Sequence, residues 1–438
     1  MLLIAFRGKE NADESEFRCH HYYFCLFVLY LTDIFSVAVT TMIGMVAMVF
    51  AGILTFSEAF NCFSNSSVML VIGMIIVVDA LLESGIGGRF GRLLARMVGN
   101  HERSFVLSVF LSAAFFSGFM TNAPLVAMYM SFIAAIADAS DGMITKKNTY
   151  LPLAMGALIG GTGTLIGCTA PLLANNVLAT YGMETMNFFT PLPIALSITI
   201  VVAICYRLFL YDMQVKWFDF DEIKDEDEIA INEAPLDKRR AIISSVVFLT
   251  GIVLFIVQPF DWDVGLIAIT CALVLIMTKC IDGKRALKNM QWSAMVTLGA
   301  SLAIAQGFVK SGAGEVVIRW LINMLGDGIK NPVVLVTLFL LAGYVLSLFM
   351  ANGSLVSMLA AIGIPLAMEA RCNPMPIALA CVFGASLAMA TPVASTSITM
   401  VEVAGYRFKD YFRVGGLVGV IGLAVAWVVI VLQYGLLF

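Results

Sequence analysis

One ten-residue phrase occurs twice in this chain, 230 positions apart. Residues 119–128 read FMTNAPLVAM and residues 349–358 read FMANGSLVSM, so six of the ten positions are identical, and Asn122 and Asn352 correspond. Both copies lie inside long apolar stretches, where a polar amide between small residues has no evident packing role. The repetition predicts an internally duplicated membrane protein with a site built from both halves.

The composition is that of a membrane protein. Of the 438 residues, 60% are hydrophobic and 13% are charged, whereas soluble domains carry about 25% charge. Apolar stretches of about 17–25 residues can cross a bilayer as helices. The sequence lacks the period-2 alternation that would indicate a barrel. The net charge of −4 suggests no nucleic-acid partner, and the nine cysteines show no metal-ligand spacing. We therefore expect a multi-pass protein of the cell membrane, in contact with lipid.

Two apolar stretches, 105–137 and 332–369, are too long for a single crossing at 1.5 Å per residue. Each carries the repeated phrase near its middle, so we expect a re-entrant hairpin with a polar tip in each, a form tolerated where protein or water surrounds the tip. Two further matches support the duplication. Residues 84–87 match 311–314 and Gly156 matches Gly384, at offsets of 227 and 228, close to the 230 of the repeated phrase. The predicted fold class is an all-α polytopic membrane protein with two inverted repeats, each of five transmembrane helices, one of them broken, and one re-entrant helical hairpin.

Charge placement gives the expected orientation. In this arrangement, 19 of the 26 Lys and Arg residues fall on one side, which the positive-inside rule makes cytoplasmic. The first hairpin then opens to the cytoplasm and the second to the outside. The expected domains are a polar tail at 1–21, the first inverted repeat at 22–210, a cytoplasmic acidic and basic linker at 211–240 and the second inverted repeat at 241–438. Charged residues at 13–18 leave open whether residues 1–30 form a full first crossing.

Two more segments are too rich in small and polar residues for an uninterrupted helix. Residues 159–171 read IGGTGTLIGCTAP, and residues 390–397 read ATPVASTS. In a helix interior, Gly costs about 1 and Pro about 3 kcal/mol relative to Ala. A break at mid-membrane exposes carbonyls for Na⁺ and half-helix N-termini for an anion. Close helix packing through Gly156 and Gly160 explains the glycines equally well. A nucleotide-binding loop is excluded because the glycines at 161, 163 and 167 do not have the spacing of a phosphate-binding motif and no Lys follows them.

These motifs resemble those of the divalent anion:sodium symporter family, in the ion transporter superfamily, over about residues 34–435. Residues 159–167 match the family's Gly-Gly-Thr-Ala-Thr-Leu-Ile-Gly motif closely, and residues 392–395 match its second break in part. The family's tips read Ser-Asn-Thr. Here the triplets 121–123 and 351–353 read Thr-Asn-Ala and Ala-Asn-Gly, so they keep only the Asn.

By position, the resemblance implies specific binding residues. The first sodium site would comprise Ser117, Thr121, Asn122 and Gly167, and the second Ser347, Ala351, Asn352 and Ala394. The anion would lie between Thr121, Asn122, Asn352, Ser395 and Thr396. Sodium would be the only metal ion and the coupling ion, with no other cofactor and no catalytic residue. The resemblance also implies an elevator-like movement and a homodimer.

The predicted function is sodium-coupled uptake of a small anion, such as a dicarboxylate, tricarboxylate or sulfate, by alternating access. A sodium/proton antiporter or arsenite-type anion permease of the same superfamily is an alternative. It would use the intramembrane acid Asp79 as a proton site, although a structural role for Asp79 explains its position near a helix end better. An integral membrane transferase is a remote alternative, because no cluster of His, Asp, Glu or Lys marks one membrane face.

Overall fold

The structure, a computed structural model, describes residues 37–85, 101–140, 143–220, 237–257, 262–288, 290, 292–311, 331–348, 352–391 and 395–436. Within these ranges the chain is helical and contains no β-strand. The predicted tail at 1–21, the tip residue Ala351 and the break residue Ala394 lie outside the described residues. So does most of the predicted linker.

The first half of the chain contains nine helices in its described residues. In chain order they are α1 (Val37–Phe50), α2 (Phe56–Asn61), α3 (Ser66–Glu83), α4 (Glu102–Ser117), α5 (Asn122–Ala139), α6 (Lys146–Gly161), α7 (Thr169–Thr180), α8 (Leu192–Cys205) and α9 (Tyr211–Trp217). A π-helical turn, Tyr206–Leu210, joins α8 to α9. The apolar stretch at 105–137 therefore forms two helices, α4 and α5, and the glycine-rich segment separates α6 from α7.

The second half repeats this order. Its described helices are α10 (Lys238–Val257), α11 (Val264–Met277), α12 (Gly283–Lys288), α13 (Trp292–Lys310), α14 (Pro332–Ser347), α15 (Asn352–Glu369), α16 (Met375–Ser386), α17 (Thr396–Met400), α18 (Phe408–Asp410) and α19 (Gly416–Gln433). The stretch at 332–369 again forms two helices, α14 and α15, and a break again separates α16 from α17.

One helix extends further than the sequence predicts. We expected the linker to begin at residue 211, but helical structure continues through α9 to Trp217. Two side chains of α9 explain the extension, because both bond to other helices. The Tyr211 hydroxyl donates to Glu102 at 2.6 Å, and Gln214 Nε2 donates to the carbonyl oxygen of Asn148 at 2.6 Å. The linker sequence alone does not reveal these partners.

The bond from Gln214 compensates for a proline. Pro152 lies inside α6 and has no N–H to give to the carbonyl of Asn148, four residues earlier. Gln214, fully buried, supplies the missing donor. One turn away, the Tyr406 hydroxyl donates to the carbonyl of Lys147 and accepts from the N–H of Leu151 at 3.0 Å. Side chains from distant parts of the chain thus maintain the polar backbone of α6 in an apolar surrounding.

Among the described residues, three helical stretches are long and apolar enough to cross a membrane, namely Phe56–Leu81, Leu192–Trp217 and Phe408–Gln433. The apolar helices pack into two groups. In one group, α3 packs against α10 and α11, and α1 packs against α13. In the other, α4 packs against α6 and α14 against α16, with α8 and α19 in contact beside them. The predicted tip residues Ser117 and Ser347 end α4 and α14 of the second group, whereas Asp79 lies in α3 of the first.

Three ion pairs between distant described segments each join two segments that the charge pattern places on the same side. On the predicted cytoplasmic side, Arg285 pairs with Glu83 at 2.7 Å, and Arg103 pairs with Asp212. On the predicted outer side, Lys310 pairs with Glu58 at 2.8 Å. The ion pairs are therefore consistent with the orientation expected from the Lys and Arg count.

Candidate functional site

The turn between α4 and α5 fixes the first Asn of the repeated phrase. Ser117, the last residue of α4, is fully buried and donates a hydrogen bond to Asn122 Oδ1 at 2.5 Å. Asn122 is the first residue of α5, and Thr121 is its N-cap with extended backbone dihedrals. Two side-chain oxygens therefore lie together at the tip, held by the ends of two helices.

The break between α6 and α7 encloses this tip. A Cβ on Gly161 would lie 2.3 Å from Asn122 Oδ1, and a Cβ on Gly167 would lie 2.3 Å from the Ser117 carbonyl oxygen and 2.5 Å from the Gly161 carbonyl oxygen. Only glycine permits so close an approach of backbone to tip. The cluster gathers the Ser117 and Asn122 side-chain oxygens and two backbone carbonyls around Gly167. Oxygen ligands of this kind suit a hard cation such as Na⁺.

A threonine joins the break to the tip. Thr164 Oγ1 donates to the carbonyl oxygen of Gly118, the C-cap of α4. The same hydroxyl accepts from the N–H groups of Ile166 at 3.2 Å and Gly167 at 3.3 Å. This one side chain therefore satisfies polar backbone groups that the interruption of α6 and the end of α4 leave without helical partners.

The second half contains the same contacts at equivalent positions. Fully buried Ser347, the last residue of α14, donates to Asn352 Oδ1 at 2.6 Å. Thr391 Oγ1 donates to the carbonyl oxygen of Leu348, the C-cap of α14, at 2.9 Å. Ser347 and Asn352 lie 230 positions after Ser117 and Asn122, and Thr391 lies 227 after Thr164. The repeated phrase therefore carries an equivalent hydrogen-bonded arrangement, not only a similar sequence.

Close helix packing also repeats. A Cβ on Gly156 would lie 2.5 Å from the Phe110 carbonyl oxygen, and a Cβ on Gly384 would lie 2.5 Å from the Leu340 carbonyl oxygen. The glycines of these segments therefore fall into two groups. Gly156 and Gly384 let helices approach closely, whereas Gly161 and Gly167 lie at the tip.

The helix that follows each break packs against a helix of the other half. After its break, α7 packs against α15 of the second half, and α17 packs against α5 of the first half. Ser395 is the N-cap of α17, and its hydroxyl accepts from the N–H of Ser397 at 3.4 Å. Ser395 and Thr396 thus lie at the start of α17, which contacts α5, while Asn352 begins α15, which contacts α7.

The predicted site residues thus fall into recognisable groups. Ser117, Asn122 and Gly167 come together at the first tip, with Thr121 as the adjacent cap, and Ser347 with Asn352 at the second. Thr164, Thr391 and Gly161 contact the same tips but were not predicted. Comparing the two broken-helix segments at an offset of 227 would have identified the two threonines.

Asp79 lies elsewhere. It belongs to α3, four residues before the helix ends at Glu83, and is half-buried in the helix group that excludes the tips. No group of three or more His, Cys, Asp or Glu residues capable of holding a metal ion occurs in the described ranges. The candidate site is therefore made of hydroxyls, amides and backbone carbonyls.

Comparisons with known proteins identify the family of the chain and its fold. The model of the citrate transporter family matches residues 27–381. The chain is 28% identical to YfbS, an uncharacterised transporter of Escherichia coli, over 181 aligned residues. The aligned region covers 41% of this chain and 29% of YfbS. It is 23% identical to the sodium-dependent dicarboxylate transporter SdcS of Staphylococcus saprophyticus, covering 92% of this chain and 83% of that one. The YdaH transporter of Alcanivorax borkumensis shares the fold, with a TM-score of 0.62 and 15% identity over 87% of this chain and 88% of that one.

Proposed function

The chain belongs to the citrate transporter family, and on that premise we propose that it couples Na⁺ movement to the uptake of a small dicarboxylate, tricarboxylate or sulfate anion. It is a membrane transporter and not an enzyme. The name of its relative SdcS, a sodium-dependent dicarboxylate transporter, supports both the anion class and the coupling ion. The proposed mechanism is secondary active transport by alternating access.

The observation that carries this proposal is the pair of equivalent Ser–Asn contacts. Ser117 with Asn122 and Ser347 with Asn352 place two oxygens 2.5 and 2.6 Å apart at the start of each hairpin's second helix. At the first tip, backbone carbonyls around Gly167 complete an oxygen-rich cluster. We propose that each tip binds a Na⁺ ion through these oxygens and that the amide of each Asn also donates to the anion.

The surroundings explain why the anion needs a cation. The four segments that form the hairpins and breaks, 104–137, 148–183, 331–368 and 372–401, contain no Asp, Glu, Lys, Arg or His. An unpaired anion in such a low-dielectric site is costly. Bound Na⁺ would supply the positive charge that these side chains lack. We therefore expect anion binding to depend on Na⁺.

The finer architecture belongs to the same proposal. We infer two inverted repeats, each with five transmembrane helices and one re-entrant hairpin, in the cell membrane. The 19:7 distribution of Lys and Arg and the same-side ion pairs support opposite orientations for the hairpins. The helix group with α3 and α11 would form the scaffold of a homodimer. The hairpins and breaks would move against it.

Uptake by the purified full-length protein in proteoliposomes tests the proposal. Labelled succinate, citrate and sulfate are supplied with an inward Na⁺ gradient, with choline replacing Na⁺, or with a pH gradient alone. We expect accumulation of at least one anion only with the Na⁺ gradient. Equal accumulation with choline and a pH gradient would exclude sodium coupling and favour the proton-driven alternative.

A further inference from the structure

The first broken helix contains two accessible residues at the centre of an otherwise buried stretch. From residue 148 to residue 174, every side chain is buried except Cys168 and Thr169, which are partly exposed. Cys168 is the N-cap of α7 and Thr169 is its first residue. The break therefore places two partly exposed side chains within an otherwise buried stretch.

The second broken helix opens at the equivalent place. Residues 375–391 are all buried, and accessible side chains follow at Ser395 and Thr396. These are the N-cap and first residue of α17. They lie 227 positions after Cys168 and Thr169, the offset that also relates Thr164 to Thr391. The first half therefore has its own counterpart of the residue pair expected to contact the anion.

The Thr169 hydroxyl also lies against the opposite hairpin. A Cβ on Gly353, the residue after Asn352, would lie 3.3 Å from Thr169 Oγ1 and 3.6 Å from Leu173 Cδ1. Packing of α15 against α7 holds these parts together. Thr169 thus joins the first break to the second tip, at a point that remains accessible.

We propose that Thr169 is a specificity-determining residue whose hydroxyl donates a hydrogen bond to an oxygen of the transported anion beside Asn352. The inference rests on the proposed function and extends it to a residue of the first break. The ligand class is an oxyanion with a carboxylate or sulfate oxygen that reaches the Gly353 side of the second tip. Cys168, the adjacent partly exposed thiol, serves as a labelling probe beside Thr169.

The main test compares anion uptake by wild type, Thr169→Val and Thr169→Ser. A hydrogen bond to a charged group corresponds to roughly 10- to 100-fold in affinity. We expect Thr169→Val to raise the anion KM by at least about tenfold, with little change in the Na⁺ concentration for half-maximal uptake. Thr169→Ser keeps the hydroxyl and should recover most of this loss. Thr180→Val, at the far end of α7, is the matched control, because its hydroxyl bonds only within its own helix.

A second readout uses Cys168. N-Ethylmaleimide labelling of the purified protein, located by peptide mass spectrometry, should be slowed by the transported anion in the presence of Na⁺. Thr169→Val should require about tenfold more anion for the same protection. Unchanged KM and unchanged protection in Thr169→Val would overturn the assignment while leaving the transporter proposal intact. A wild-type protein that takes up no anion would instead overturn the proposed function, and this assignment with it.

Discussion

Ser117 and Asn122 lie at the two ends of one tight turn, and the Ser117 hydroxyl donates to Asn122 Oδ1 at 2.5 Å. Because Ser117 is fully buried at the end of α4, this bond fixes the carboxamide at the tip of the first hairpin. Ser347 fixes Asn352 in the same way at the second tip. The two asparagines are therefore the side chains on which the proposed transport depends most.

Replacing either asparagine should abolish coupled uptake. In Asn122→Ala or Asn352→Ala, the tip would lose the proposed cation ligand and the proposed anion donor together. We expect uptake of the transported anion to fall at least about 100-fold, the loss of two or more hydrogen bonds involving charge. Expression and elution on gel filtration should match wild type. The matched control is Asn61→Ala, because Asn61 is exposed and bonds only to Ser57 of the same helix. Wild-type uptake in both tip variants would remove the proposed site.

A methyl group at Gly161 should disturb the first tip selectively. Its Cβ would lie 2.3 Å from Asn122 Oδ1, so Gly161→Ala must displace the carboxamide. Overpacking of this kind costs about 1–3 kcal/mol, and we expect the Na⁺ concentration for half-maximal uptake to rise about tenfold. Gly283→Ala is the control, because a Cβ there meets only Ile276 Cγ2 at 3.6 Å. Equal Na⁺ dependence in Gly161→Ala and wild type would contradict the geometry of this tip.

Removing the Thr391 hydroxyl, which joins the second break to the end of α14, should lower the stability of the protein. Thr391 Oγ1 donates to the Leu348 carbonyl oxygen at 2.9 Å, and Thr391→Val would leave this acceptor without that donor. An unsatisfied buried acceptor costs about 1–3 kcal/mol, so the melting temperature in detergent should fall. Thr391→Ser keeps the hydroxyl and should restore it. A valine variant as stable as wild type would show that the contact contributes nothing.

The Tyr406 contact should stabilise the protein equally across neutral pH. Burial raises the pKa of Tyr406 well above its usual value, so its hydroxyl stays protonated in the folded state. Below the unfolded-state tyrosine pKa of about 10, the Tyr406 hydroxyl is protonated in both the folded and the unfolded state, so its contribution to stability does not depend on pH. This contribution would decline only at a pH above about 10. Tyr406→Phe loses bonds to Lys147 and Leu151, and its melting temperature should fall by the same amount at pH about 6 and about 8.5. A difference that changes between these two pH values would contradict this explanation.

The sequence predicts the parts of the fold that depend on local pattern. The over-long apolar stretches indicate paired helices, and the glycines and threonines of 159–171 indicate a break; both interruptions occur in the structure. Asn122 and Asn352 stand out because a polar residue in an apolar stretch is costly without a partner. These features can be read from composition and spacing alone.

Features that depend on tertiary contact could not be predicted in the same way. The extension to Trp217 depends on bonds from Tyr211 and Gln214 to distant residues. The dual use of the glycines depends on which backbone atoms approach them. The packing of α7 against α15 and of α17 against α5 requires the three-dimensional arrangement of both halves, and it is this crossing that brings Thr169 to the second tip.

The most direct test of the central claim is the affinity of the purified protein for its anion with and without Na⁺. If Na⁺ supplies the charge that the site lacks, the two ligands must strengthen each other's binding reciprocally. Isothermal titration with the transported anion should give a dissociation constant at least about tenfold lower in saturating Na⁺ than in choline, and Asn122→Ala should remove that difference. An anion affinity that is independent of Na⁺ in the wild-type protein would contradict the account.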